Sequence, residues 1–252
     1  MSEGLVRVPV VKYQQGDIPM YVGKIKAKDL LDIWKIDEFT EHLDGYQRLR
    51  YEERLNEIAN YLSKCPFPII PPLLASLREG AHYEPIDEDA GILEIPRYRG
   101  AIFIVDGGHR TGGFETIRRR IDTMRIGRRK LTEEEAKSLQ HLLEFEVPIA
   151  FIDSRAAAER VNEAIMPERK ENLLKELGKH RLEPEDIERI FFFVINKTQK
   201  TIRPSLKDTL MYLIAAAGIK GIPIIEKEYW RTEATPLAID LNFRDSPLRG
   251  QI

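Results

Sequence analysis

VDGGHRTGGF at 105–114 is the stretch on which the reading of this 252-residue chain turns. The apolar run AIFIV before it predicts a buried strand ending at Asp106, the glycines predict a tight turn, and Phe114, Ile117 and Ile121 recur at helical spacing after it. A strand that feeds a helix through small residues leaves several backbone N–H groups at the helix start with no carbonyl partner. Together with the helix dipole, these attract an anion. Gly107 and Gly108 allow close approach to the backbone, and His109 and Arg110 stand at the mouth. The standard nucleotide fingerprints are not met. Phe114 and Glu115 follow Gly113 where a Walker A loop needs Lys and Ser/Thr, and the glycine spacing is not G-x-G-x-x-G. Spacing alone leaves a second reading open, in which the glycines make an ordinary turn and His109 and Arg110 form a solvated cap.

Around this stretch the chain alternates strand and helix signals. Residues 5–12 and 18–25 suit a hairpin across Gln14–Asp17, and the N-terminus shows no signal-peptide pattern. From Gln47 to Leu62, apolar residues Leu49, Leu55, Ile58, Ala59 and Leu62 predict an amphipathic helix, stopped by Pro66 and Pro68. IIPPLLASL then reads as a strand kept near a sheet edge by its prolines. Residues 80–91 read as an acidic turn, and 91–108 as two strands turning near Arg99–Gly100. Thr132 with Glu135 predicts another helix start, followed by a strand at 146–152. Helices are expected at 154–165 and from Pro184 through Val194, and Ser205 with Asp208 predicts one more, ending before Gly218. PLAIDLNF and SPLRGQI read as strands returning to the first sheet. The expected fold class is α+β: a single domain over 1–252, built as a mixed sheet with flanking helices and a helical lobe at 154–220. The chain ends in a strand-like segment, which leaves open a short protein or a piece of a longer one.

Composition narrows the function classes. Lys+Arg 39 against Asp+Glu 41 gives a net charge of -2, so attraction to nucleic acid has to come from a local patch. One candidate is RRRIDTMRIGRRK at 118–130, with Arg118, Arg119, Arg120, Arg125, Arg128, Arg129 and Lys130. Such density suits phosphate-backbone contact through counterion release, although Glu133, Glu134 and Glu135 follow at once and no aromatic is interleaved. The one cysteine, Cys65, reads as a packing residue of a cytoplasmic protein. His42, His82, His141 and His180 show no ligand spacing, so no protein-built metal site is expected, and the Asp87–Glu88–Asp89 run reads as a solvated loop. Apolar stretches such as 66–77 and 191–195 are too short for a membrane helix.

IVDGGHR resembles the DGQHR motif of the DGQHR-domain family, whose best-known members are the DndB proteins of DNA sulfur modification and which is related to the ParB/sulfiredoxin-like fold. GYQRLR at 45–50, FFFVINKTQKTIRPSL at 191–206 and the closing DLNFRDSPLRGQI are similar to further family segments in the same order. Gly108 stands where the family usually has Gln, and the contact made by that side chain is missing here.

The resemblance implies a nucleotide held at the turn, as the corresponding loop holds ATP, CTP or ADP in sulfiredoxins, ParB proteins and a free-serine kinase. It makes Asp106, Gly107, Gly108, His109, Arg110 and Thr111 the phosphate-loop positions, with Gln47 and Arg48 opposite and Asn196, Gln199 and Lys200 as a secondary polar cluster. Asp106, His109 and Arg110 become the catalytic candidates. Arg110 would offer a guanidinium fork to phosphate, His109 would donate or move a proton, and Asp106 would orient His109 or hold Mg²⁺. Sulfiredoxin chemistry is excluded, because Gly108 occupies the position of its cysteine. The expectation is a DndB-like protein of a phosphorothioation-type system. It would bind and hydrolyse ATP or another NTP, contact DNA and work with other DNA-modification proteins. A non-catalytic DNA-binding repressor and a small-molecule kinase remain as alternatives.

Overall fold

The computed structural model describes residues 4–16, 18–38, 50–125, 132–164, 181–198, 208, 211–212 and 226–243. Eight strands form one mixed sheet: β1 Leu5–Gln15, β2 Ile18–Lys26, β3 Trp34–Lys35, β4 Leu73–Leu77, β5 His82–Pro85, β6 Ala90–Pro96, β7 Ile102–Asp106 and β8 Glu146–Asp153. Their order across the sheet is β3-β7-β4-β8-β2-β1-β6-β5. The helices are α1 Ala27–Ile33, α2 Glu52–Lys64, α3 Gly108–Arg125, α4 Glu133–Leu143, α5 Ser154–Ala164, α6 Pro184–Thr198 and α7 Tyr229–Phe243. The fold is α+β, as expected.

Strand alternation sets the two layers. Leu73, Ala75 and Leu77 of β4 and Ile102 and Ile104 of β7 face one side, where Leu30 and Ile33 of α1, Ala59 and Leu62 of α2, Phe114, Ile117 and Ile121 of α3 and Leu142 of α4 complete the main core. Burying Phe114 and Ile117 fully stabilises the α3 contact by roughly 1.5–3 kcal/mol for each side chain. On α3, Gly112 and Gly113 admit α2: a Cβ at Gly112 would lie 2.6 Å from Leu55, and one at Gly113 would lie 2.4 Å from Ile58. α5 and α6 pack on each other through Ala157, Ala158 and Ile187, with Ile18 of β2 beside them.

The hairpin β1–β2 forms in the register Val11↔Val22, and it extends further than its apolar alternation. Four expectations are corrected. β4 lies inside the sheet between β7 and β8, because its prolines precede the strand and leave its ladder N–H groups intact. The two strands read at 91–108 do form, as β6 and β7, without pairing with each other. β6 lies between β1 and β5 and β7 between β3 and β4, so the turn at Gly100 (φ 97°) carries the chain across the sheet. The acidic segment contains β5, paired antiparallel with β6 around Asp87, whose carboxylate accepts the N–H groups of Asp89 and Ala90. PLAIDLNF lies in helix α7 with Pro236 inside it, and no described strand follows β8. A short run of alternating apolar residues fits both periods, and Ala and Leu favour the helix. The N-terminal segment, whose alternation reads as strand, also runs into α1, whose Ala27, Leu30, Leu31 and Ile33 are buried. Arg50 and Tyr51 precede α2, which starts at Glu52, and the segment 246–252 lies outside the described residues.

Candidate functional site

β7 delivers Asp106 to the sheet end, Gly107 turns at φ 101°, and α3 begins at Gly108. The first helical hydrogen bond runs from the Thr111 N–H to the Gly107 carbonyl. The N–H groups of Gly108, His109 and Arg110 therefore precede the ladder and point out of the helix end. Thr111 is buried, and its hydroxyl donates back to the Gly107 carbonyl at 3.3 Å, so it serves the turn and not a ligand. A Cβ on Gly107 would sit 2.3 Å from Leu73 and 3.1 Å from Arg110 Nε. Leu73 and the guanidinium thus already fill the space that a side chain at Gly107 would take.

Arg110 is more occupied than a free phosphate fork. Nη2 donates to Asp106 Oδ2 at 2.6 Å, and Nη1 donates to the carbonyls of Pro71 at 2.9 Å and Pro72 at 3.1 Å. It ties the end of β7 to the segment entering β4. Of its five N–H donors, Nε–H and one on Nη2 remain for an anion. Asp106 thus orients Arg110 and not His109. Arg110→Ala is expected to cost about 1.5–3 kcal/mol, because a charged group bound to three acceptors is lost, and lysine should not restore it. Urea unfolding of both variants checks this.

His109 carries the sharpest chemical signal. Its Nε2 is buried and has no hydrogen-bond partner. Burial first, then the charges of Arg54 and Arg50, hold the imidazole below its ordinary pKa. Arg50 pairs with Glu38 at 2.9 Å and Glu115 at 3.1 Å and lies over the Trp34 ring at 5.1 Å, whereas Arg54 is exposed and forms no ion pair among the described residues. A cavity of about 310 Å³ adjoins Arg50, lined by Glu38, Glu52, Leu55, Glu115 and Arg119. Arg50 and Arg54 were missed as site residues. In sequence, Arg54 sits among glutamates and reads as part of a solvated helix face.

The basic stretch is used differently from a continuous patch. Arg118 bonds Asp32 and the Leu31 carbonyl, Arg119 bonds Glu52 and Thr116, and Arg120 bonds Asn56 and Asn60. Three consecutive helical residues point about 100° apart, so they reach α1 and α2 and cannot share one face. Arg125 ends α3, and Arg128, Arg129 and Lys130 lie outside the described residues. Gln47, Arg48, Gln199 and Lys200 also lie outside them, as does the Ser205 cap, and Asn196 falls within α6 without a described side chain. Cys65 is buried, as expected. No cluster of three or more metal-ligating side chains occurs among the described residues, and no described helix is long and apolar enough to cross a membrane.

A family model described as DndB, DNA-sulfur modification-associated, matches residues 8–154, a span that contains the whole of this turn. No curated protein and no solved structure matches the chain.

Proposed function

The chain belongs to the DndB family of DNA-sulfur modification-associated proteins, and from that premise we propose that it is a nucleotide-responsive component of a DNA-modification system, holding the phosphates of a nucleoside triphosphate at the start of α3. The observation that carries this reading is the orphaned, buried Nε2 of His109 beside two arginines and the open helix end. A buried imidazole nitrogen without a partner costs free energy unless something arrives to bond it. A phosphate oxygen fits the sign of the field and the donor set.

In this arrangement the N–H groups of Gly108 and His109 and the free donors of Arg110 take phosphate oxygens, and Arg54 neutralises charge from α2. Asp106 acts through Arg110, holding its guanidinium beside Gly107. Mg²⁺, supplied with the nucleotide, would be coordinated by phosphate oxygens, because Asp106 is committed to Arg110. A bound triphosphate would supply the transferable phosphoryl group. Hydrolysis, DNA contact through Arg128, Arg129 and Lys130 of the basic stretch and association with other DNA-modification proteins belong to the same proposal.

Calorimetric titration with ATP, CTP and GTP plus Mg²⁺ tests it, comparing the wild type with Arg54→Ala and His109→Gln. Both variants leave the Arg110 tie intact. Arg54→Ala is expected to weaken binding about ten- to hundredfold, as for loss of a hydrogen bond to a charged group. The free imidazole has a depressed pKa, and a bound phosphate raises it, so binding takes up a proton. Affinity should therefore rise as pH falls from about 7.5 to about 6, and this slope should flatten in His109→Gln. If no nucleotide binds, or both variants bind like the wild type, the assignment fails. Salt-dependent DNA binding without any nucleotide effect would instead give the turn to DNA phosphate.

A further inference from the structure

On β6, β1, β2 and β8 alternate residues fill the main core, among them Leu93, Val8, Tyr21 and Ile149. The residues between them face the other way. Strand register sets Ala90, Val11, Val22 and Ala150 side by side across these four strands, and Ile92, Pro9 and Pro148 share the next row with Lys24. α5 and α6 pack on this side of the sheet beside Ile18. Further along it is open: Val11 is 47% exposed, Val22 43% and Leu5 49%. Single exposed apolar side chains are ordinary, but a contiguous band across four strands marks a surface that another surface covers. None of these residues belongs to the turn at Gly107 or lines the cavity beside Arg50.

The charges bordering the band decide what kind of surface fits. Arg7 pairs with Glu84 at 2.9 Å and Glu94 at 3.0 Å, Lys24 with Glu146 at 2.7 Å, and Lys26 and Lys28 with Glu144 at 2.9 and 2.6 Å. Four cations stand beside four carboxylates, so the border is neutral as a whole. A nucleic acid finds no surplus of positive charge here, and a strongly charged protein of either sign finds no counterpart. A second copy of the same face does match, with apolar band against apolar band and no net repulsion between the borders. The size is consistent with this. Strand spacing and rise give about 400–500 Å² of surface from each copy, or about 1,000 Å² for two, the lower bound for a specific interface.

We propose that the chain forms a weak, reversible dimer in which two copies pack these sheet faces on each other about a two-fold axis. Val11, Val22 and Ile92 lie in the buried band, and the ion pairs of Arg7 and Lys24 form its rim. The proposal stands apart from the nucleotide reading. Helix α3 packs on the opposite face of the sheet through Phe114 and Ile117, so the turn stays open in both copies.

The test is sedimentation velocity of the full chain from about 2 to about 300 µM, a range that brackets weak interfaces of this size, with NMR spectra over the same dilution series. A monomer–dimer equilibrium is expected, and the resonances that shift on dilution should belong to β6, β1, β2 and β8. Val22→Glu should weaken the dimer by roughly tenfold or more, because a carboxylate without a partner is then carried into the apolar band. Val22 is exposed in the single copy, so the variant should unfold in urea as the wild type does. The dilution spectra of the wild type locate the interface even if that variant does not fold. A monomer at every concentration, dilution shifts on another surface such as Trp230 and Leu237 of α7, or a dimer undiminished in a folded Val22→Glu overturns the proposal.

Discussion

Arg78→Ala is expected to lower the unfolding free energy by about 3–5 kcal/mol. Arg78 stands just beyond β4, and its guanidinium is shared by Asp37, Glu185 and Glu188 while lying 3.4 Å from the Phe103 ring centroid. Glu188 of α6 is 0% exposed. Without Arg78, a buried carboxylate keeps its desolvation cost and loses its main counter-charge. Urea unfolding measures the loss, and hydrogen exchange should show protection falling first in α6. Replacing the pair together, Arg78→Met with Glu188→Leu, is expected to recover most of it, since a well-packed apolar pair escapes desolvation altogether. A loss below about 1 kcal/mol in Arg78→Ala would show that Glu188 finds other support.

Gly107→Ala is expected to cost about 2–4 kcal/mol and, on the proposed function, to abolish the nucleotide binding assigned to the turn. Two effects combine. A φ of 101° is a conformation L residues rarely adopt, and the new methyl would meet Leu73 at 2.3 Å. Leu73 is almost fully buried at the start of β4, so it has little room to yield. The displaced turn would carry Arg110 away from Asp106 and from the Pro71 and Pro72 carbonyls. A double-mutant cycle with Leu73→Ala separates the terms: relief of the contact makes the combined loss smaller than the sum, and the backbone share persists. Additive losses would mean that the methyl never meets Leu73.

The turn was legible because its chemistry is local. A buried strand, glycines and an amphipathic helix follow one another in ten residues, and the helix end and anion geometry come from that succession alone. The hairpin, α5 and α6 were legible for the same reason. α7 was not, since its apolar residues fit both periods and neighbours decided between them. For Asp106 the sequence offers His109 or Mg²⁺ as partner, whereas one helical turn brings Arg110 back onto it at a spacing of four.

By itself, then, the sequence determined the strand–turn–helix, the free N–H groups at its helix start and the family, because backbone geometry and residue spacing operate over a few residues. Only the tertiary structure decided strand order, the tasks of the arginines and the surroundings of His109. The charges of Arg54 and Arg50 act on the imidazole once α2 and the residue that leads into it lie against α3, and Arg118, Arg119 and Arg120 become ties to α1 and α2 once those helices are in place. A guanidinium looks the same in sequence whether it meets phosphate or carboxylate. Which one it meets depends on residues tens of positions away, and folding alone brings those together.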